Sequence, residues 1–220
     1  MASPPRLVYR QGDHVCTLFS SPEEQRSAAV EYIQQGLARR ERCVYVCGEQ
    51  SPDECRAALR AAGVDVAREE ARGAIVLLTK ETAYLQGGSF SAARMIDLLR
   101  SAVESALADG FEGLCAAGDM TWLLDEAEGS EEVAEYEALL NHFYRNHRAV
   151  GLCQYNTRRI PPALLDHCIA THPTVRVAGP ILVINPFYEL PETARSRRAN
   201  ADGLDVRIAV VSSPPTHGTH

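Results

Sequence analysis

No stretch of this sequence approaches the roughly 18 consecutive apolar residues that a membrane-spanning helix needs, and Met1 to Arg10 lacks the apolar centre of a secretory signal. A cytoplasmic protein without a membrane partner is therefore expected. Clustered Lys and Arg are missing too. The formal charge is −7, and basic residues occur only in short pairs such as Arg39-Arg40, Arg158-Arg159 and Arg197-Arg198. Neutralising phosphates needs concentrated positive charge, which argues against a nucleic-acid-binding surface. None of the seven cysteines stands in Cys-x-x-Cys spacing, so neither a zinc knuckle nor a thioredoxin-like site is encoded. Cys43, Cys47, Cys115 and Cys153 sit inside apolar runs, where a thiol acts as a small hydrophobe and stays reduced.

What is present is enough apolar residue for one core: 45% hydrophobic content over 220 residues. Apolar runs alternate with helical patterns. Val15 to Phe19, Cys43 to Cys47, Ile75 to Leu78, Leu114 to Ala117 and Ala149 to Cys153 read as strands. Ser21-Pro22-Glu23-Glu24 and Ser51-Pro52-Asp53-Glu54 each start a helix with a cap, a proline and an acidic first turn, and the second helix ends at Gly63. A long helix carries Met95, Leu98, Leu99 and Val103 inward. Ser130 is expected to cap a helix bearing Val133, Tyr136, Leu140 and Phe143, and Pro161-Pro162 opens another. Thr174 to Val177 and Ile181 to Ile184 read as a hairpin around Gly179-Pro180. Strand alternating with helix predicts an α/β fold of three layers, with a mostly parallel sheet and helices on both faces. Residues 1–10 are expected to be an N-terminal extension, 11–190 the folded domain, and 191–220 a tail, with Val206 to Val211 a candidate edge strand.

Polar and aromatic residues cluster where apolar strands end, which is where open parallel sheets hold ligands. His14 and Cys16 are two apart, so a strand points both to one face; two donors are not a metal site, and no metal ligand set or cofactor is expected. Asp119 reads either as a cap for the next turn or as a ligand contact, and Trp122, the only tryptophan, either as a pocket wall or as a core plug. Glu137 and Asn141, four apart on one helix, either reach the pocket or bond each other, with Asn141 read as structural. Gln154 and Tyr155 close a buried strand and need polar partners. Arg158 is suited to an anionic ligand or to solvent. His172 and Asn185 each precede a proline that holds the backbone extended, and Tyr188 either covers the pocket or packs on the sheet edge.

The order of strand, helix, Gly36-Leu37 and Cys43 to Glu49 is similar to the start of the RecA/KaiC-like ATPase core. The place of its phosphate loop reads Ser20-Ser21-Pro22-Glu23-Glu24-Gln25-Arg26-Ser27, without the glycines or lysine that cradle phosphate, so a degenerate P-loop is expected. Asp119 would be a relic of the acid that organises Mg²⁺ in that core. A closer resemblance runs through Gly12-Asp13-His14-Val15-Cys16, Gly118-Asp119-Met120-Thr121-Trp122, Glu135-Tyr136-Glu137, Leu152-Cys153-Gln154-Tyr155, Thr171-His172-Pro173 and Asn185-Pro186-Phe187-Tyr188. In this order they resemble the MEDS family, the methanogen/methylotroph and DcmR sensory domain. The resemblance implies a non-catalytic sensor of small hydrocarbon derivatives in prokaryotic signal transduction, including transcription regulation. The expected ligand-binding set is His14, Cys16, Glu49, Asp119, Met120, Trp122, Glu137, Gln154, Tyr155, Arg158, His172, Asn185 and Tyr188. With no helix-turn-helix or kinase motif in the sequence, the expected output partner is a separate protein (a kinase, an anti-sigma-type factor or a transcription regulator), and a homodimer is left open. The alternatives are an enzyme in which His14 activates Cys16, or a ligand-free interaction scaffold.

Overall fold

A computed structural model of the chain describes residues 8–125, 127–177 and 181–189. The expectations for the tail from 191, for Val206 to Val211, for the Gly179-Pro180 turn and for most of the N-terminal extension lie outside the described residues.

The elements follow the apolar runs in chain order. They are β1 (His14–Phe19), α1 (Pro22–Ala38), β2 (Arg42–Cys47), α2 (Pro52–Ala61), α3 (Val66–Ala71), β3 (Ile75–Thr79), α4 (Ala92–Ala108), β4 (Leu114–Asp119), α5 (Val133–Asn146), β5 (Ala149–Asn156), α6 (Pro162–Ala170), β6 (Thr174–Val177) and β7 (Ile181–Ile184). The two Ser-Pro starts do what their chemistry dictates. The Ser21 hydroxyl accepts from the Glu24 N–H, and Ser51 and Glu54 form a reciprocal capping box. Between them the Glu24 carboxylate turns back onto the Ser20 N–H and hydroxyl.

One expectation fails locally, and one short element has no counterpart among the expectations. Ser130 is not the cap of α5: it opens a single 3₁₀ turn, Ser130–Glu132, after Gly129 in the left-handed region, and α5 begins at Val133 with no side-chain cap. The six-residue α3 carries too few periodic positions to be read from its sequence, although Asp65 caps it through the Arg68 N–H.

The strands make one seven-stranded sheet in the order β3-β2-β4-β5-β1-β6-β7. All neighbours are parallel except β6 and β7, which form an antiparallel hairpin. Parallel strands need crossovers, and the intervening helices cover both faces. Tyr32 and Ile33 of α1 with Leu59 of α2 pack on one face; Met95, Leu99, Leu140 and Phe143 of α4 and α5 pack on the other. Each such buried side chain contributes roughly 1.5–3 kcal/mol of transfer free energy. Among the described residues no helix is long and apolar enough to cross a membrane.

Candidate functional site

Strand β5 carries the site because its alternation sends chemistry to both faces. All eight of its residues are buried. Cys153 and Tyr155 point toward α5 and α6, while Gln154 points toward α1. Beside it, β1 presents His14 and Cys16 to the same side as Cys153, with His14 paired opposite Gly151.

On the α5 side a polar cluster lies inside an otherwise apolar layer. The Nε2 atoms of His14 and His172 each stand 3.3 Å from Glu137 Oε2. Cys153 Sγ lies 3.5 Å from His14 Nε2. The Tyr155 hydroxyl donates to Glu137 Oε1 at 2.6 Å. The Asn141 amide donates to the Thr171 carbonyl at 2.7 Å and to the Glu137 carbonyl at 3.2 Å, which leaves its Oδ1 facing His14 Nδ1 at 3.1 Å. His172 Nδ1 meets the Cys168 carbonyl at 2.6 Å. His14, Glu137 and His172 are no more than 2% exposed.

Electrostatics follow from that burial. Burial opposes ionisation of Glu137, but His172, His14 and the Tyr155 hydroxyl outweigh it and hold the carboxyl below its ordinary pKa. Burial, then His14 beside it, pulls His172 down to about 4, so its ring is neutral near pH 7. Burial, with Glu137 and Cys16 close by, pushes the Cys153 thiol well up. Cys16 is pushed up in the same way by burial, Cys168 and Glu137. The cysteine whose sulfur meets His14 is thus Cys153, not Cys16, and neither thiol carries the depressed pKa of an activated nucleophile.

A cavity of about 30 Å³ adjoins the cluster, walled by Tyr84, Met95, Leu99, Ala116, Tyr136 and Tyr144 among others, and Cys153 belongs to both. A single water needs about 10–15 Å³ on this measure, so the space suits a molecule of very few heavy atoms.

The remaining expected residues separate into other groups. Asp119, Gln154 and Glu49 meet at the carboxyl ends of the strands on the α1 side. Asp119 is fully buried and accepts from Gln25 Nε2, the Glu49 N–H, the Thr121 N–H and the Thr121 hydroxyl. Gln154 accepts from the Tyr45 hydroxyl at 2.8 Å and donates to the Gln25 carbonyl. Glu49 pairs with Arg159 rather than with Arg158, which is exposed. Met120 and Trp122 are core: the indole stacks between Tyr84 and Phe90, at ring-centroid distances of 5.1 and 4.6 Å. Asn185 clasps the Ile169 and His172 carbonyls, and the half-buried Tyr188 bonds Arg145.

The sequence reading missed Cys153 as a site member because an apolar strand context favours a hydrophobic role. The signal was the shared period of two: Cys153 and Tyr155 on β5 match His14 and Cys16 on β1. It also counted two metal-ligating candidates, whereas the fold gathers four, His14, Glu137, Cys153 and His172, with their donor atoms within 4.8 Å of one another.

The fold is shared with a KaiC-like protein from the hyperthermophilic archaeon Pyrococcus horikoshii OT3. The TM-score is 0.51 at 14% identity, over 76% of this chain and 71% of that one. At that identity the likeness concerns the fold alone, which is the RecA/KaiC-like arrangement expected from the strand order. No curated protein sequence matches the chain. Residues 13–173 match the MEDS family, described as the methanogen/methylotroph, DcmR sensory domain, so the chain belongs to that family of sensory domains.

Proposed function

We propose that the chain is a non-catalytic receptor for a small organic compound of one to three carbons, which it holds in the cavity at Cys153. The observation that carries this reading is the size and lining of that space. About 30 Å³, walled by Leu99, Met95, Ala116, Cys153 and the rings of Tyr84, Tyr136 and Tyr144, favours a small, largely apolar molecule. The same dimensions leave no room for a nucleotide.

The strand-end crevice supports the same view from the other side. The Ser20-Ser21 turn offers neither glycines nor lysine, Glu24 folds over its N–H, and Asp119 spends its acceptor capacity within the protein. We read this loop as a degenerate phosphate cradle. Occupying the cavity would shift α4 and α5, which meet the sheet around it, and a separate signalling protein would read the shift. Ile184 and Phe187, 88% and 74% exposed, offer apolar contact for such a partner.

The test is thermal unfolding with one-to-three-carbon halides, alcohols and thiols beside ATP with Mg²⁺. A ligand at about 100 times its Kd adds about 2.7 kcal/mol. A rise with a small carbon compound supports the reading. A rise with ATP alone, or ATP cleavage lost on mutating Asp119, overturns it.

A further inference from the structure

We propose that His14, Glu137, Cys153 and His172 form a four-coordinate site for a divalent transition metal, for which Zn²⁺ is the best match. The argument is independent of the sensory reading and stands whether or not the cavity takes an organic ligand.

The first step is where the protons lie. Asn141 spends its N–H₂ group on the Thr171 and Glu137 carbonyls, so the atom it turns toward His14 Nδ1 is an oxygen. His14 Nδ1 must therefore carry the ring proton. The Cys168 carbonyl can only accept, so His172 Nδ1 carries its proton as well. In neutral rings both Nε2 atoms are then bare lone pairs, and both face Glu137 Oε2. The Tyr155 hydroxyl takes up the other carboxylate oxygen. Glu137 Oε2 and His172 Nε2 are buried and have no hydrogen-bond partner. The Cys153 S–H can donate to His14 Nε2, but nothing relieves the other two, and electron-pair donors converging in a dry interior repel one another unless something positive sits between them.

The second step is size. A tetrahedral ion with bonds of about 2.0–2.3 Å has edges between its ligand atoms of roughly 3.3–3.7 Å. Three of the six edges, His14–Glu137, His172–Glu137 and Cys153–His14, are 3.3, 3.3 and 3.5 Å. The other three lie within 4.8 Å, so closing the tetrahedron asks for a side-chain shift of at most about 1 Å. Nitrogen, sulfur and carboxylate oxygen together suit a borderline-soft ion rather than Mg²⁺ or Ca²⁺. Each histidine is oriented through its far nitrogen and the carboxylate through its far oxygen, as outer partners orient metal ligands. Charge also balances. Glu137 enters as a carboxylate, and the Cys153 S–H bond breaks with its proton leaving to solvent, so two negative ligands neutralise one dication.

The rival occupant is a single extra proton, making an imidazolium paired with Glu137. Chelator-treated protein, carrying no histidine tag, should be titrated with Co²⁺ and followed in the visible and near-ultraviolet. One equivalent per chain, with four-coordinate cobalt bands and a thiolate-to-cobalt charge-transfer band, is expected. Cys153→Ser should abolish the charge-transfer band, and Asn141→Ala should weaken Zn²⁺ binding in chelator competition by about 10–100-fold. No stoichiometric uptake by the wild-type chain, or a charge-transfer band that persists in Cys153→Ser, overturns the site. Should a variant fail to fold, X-ray absorption of the loaded wild type decides: one sulfur and three nitrogen or oxygen neighbours support it, and a first shell without sulfur overturns it.

Discussion

Gln25 Nε2 donates to Asp119 Oδ2 at 2.7 Å, tying helix α1 to the carboxyl end of β4 across the strand-end crevice. Asp119 also accepts from the Glu49 and Thr121 backbones and from the Thr121 hydroxyl, so one carboxylate holds a helix and two strand-end loops together. Asp119→Ala would leave these donors buried and unpaired. The expected loss is about 3–5 kcal/mol in urea unfolding, because breaking a buried charged network costs far more than an exposed pair. A loss below about 1 kcal/mol would mean that the crevice is wet and its carboxylate exchangeable.

This network explains what sequence could and could not reveal. Strand order and helix starts were legible because Ser-Pro-x-Glu chemistry and apolar runs are local. Asp119 was legible as a polar strand end, but its ambiguity between cap and ligand contact rested on Gln25, 94 residues away. Trp122 posed the same problem, since only Tyr84 and Phe90 stacking on it make it core. His14, Glu137, Tyr155 and His172 were all picked out, yet their meeting point depends on α5 crossing β1 and β5. Cys153 looked like packing because nothing local distinguishes a buried thiol from a buried valine.

All seven cysteines are free and buried, and burial, with Cys168 and Glu137 close by, raises the Cys16 thiol well above its usual range. A thiol reagent near neutral pH should therefore label Cys16 no faster than the chain unfolds globally, while full denaturation exposes all seven. The measurement is labelling rate against denaturant, read by mass spectrometry of the modified peptide. Selective modification of Cys16 within seconds under native conditions would revive an enzyme built on His14 and Cys16.

Asn185 holds the turn that carries His172, because its Nδ2 bonds the Ile169 and His172 carbonyls at 2.7 and 2.8 Å while its Oδ1 accepts from the Phe187 N–H. Asn185→Asp would turn a donor into a charged acceptor facing two carbonyl oxygens. It should cost about 2–4 kcal/mol, and more than Asn185→Ala, which removes the bonds without adding repulsion. Equal losses in paired urea melts would show that water readily replaces the amide.

The cavity beside Cys153 allows the receptor reading to be tested by shape alone. Ala116, on β4 between β2 and β5, forms part of its wall and is 7% exposed. Ala116→Val adds two methyl groups into that space and keeps a residue suited to a strand. Stability should hold or rise by about 0.5–2 kcal/mol, as is usual when a void is filled, while the thermal shift given by a small carbon compound disappears. Leu99→Ala does the opposite: it should lose about 2–5 kcal/mol and extend binding to a bulkier compound that the wild type refuses. Ala116→Val is the variant that separates a site from a packing defect, because a defect gives the wild type no ligand shift to lose, whereas any enlarged apolar void can take up a bulkier compound. Ala116→Val with an undiminished ligand shift would place the receptor pocket elsewhere.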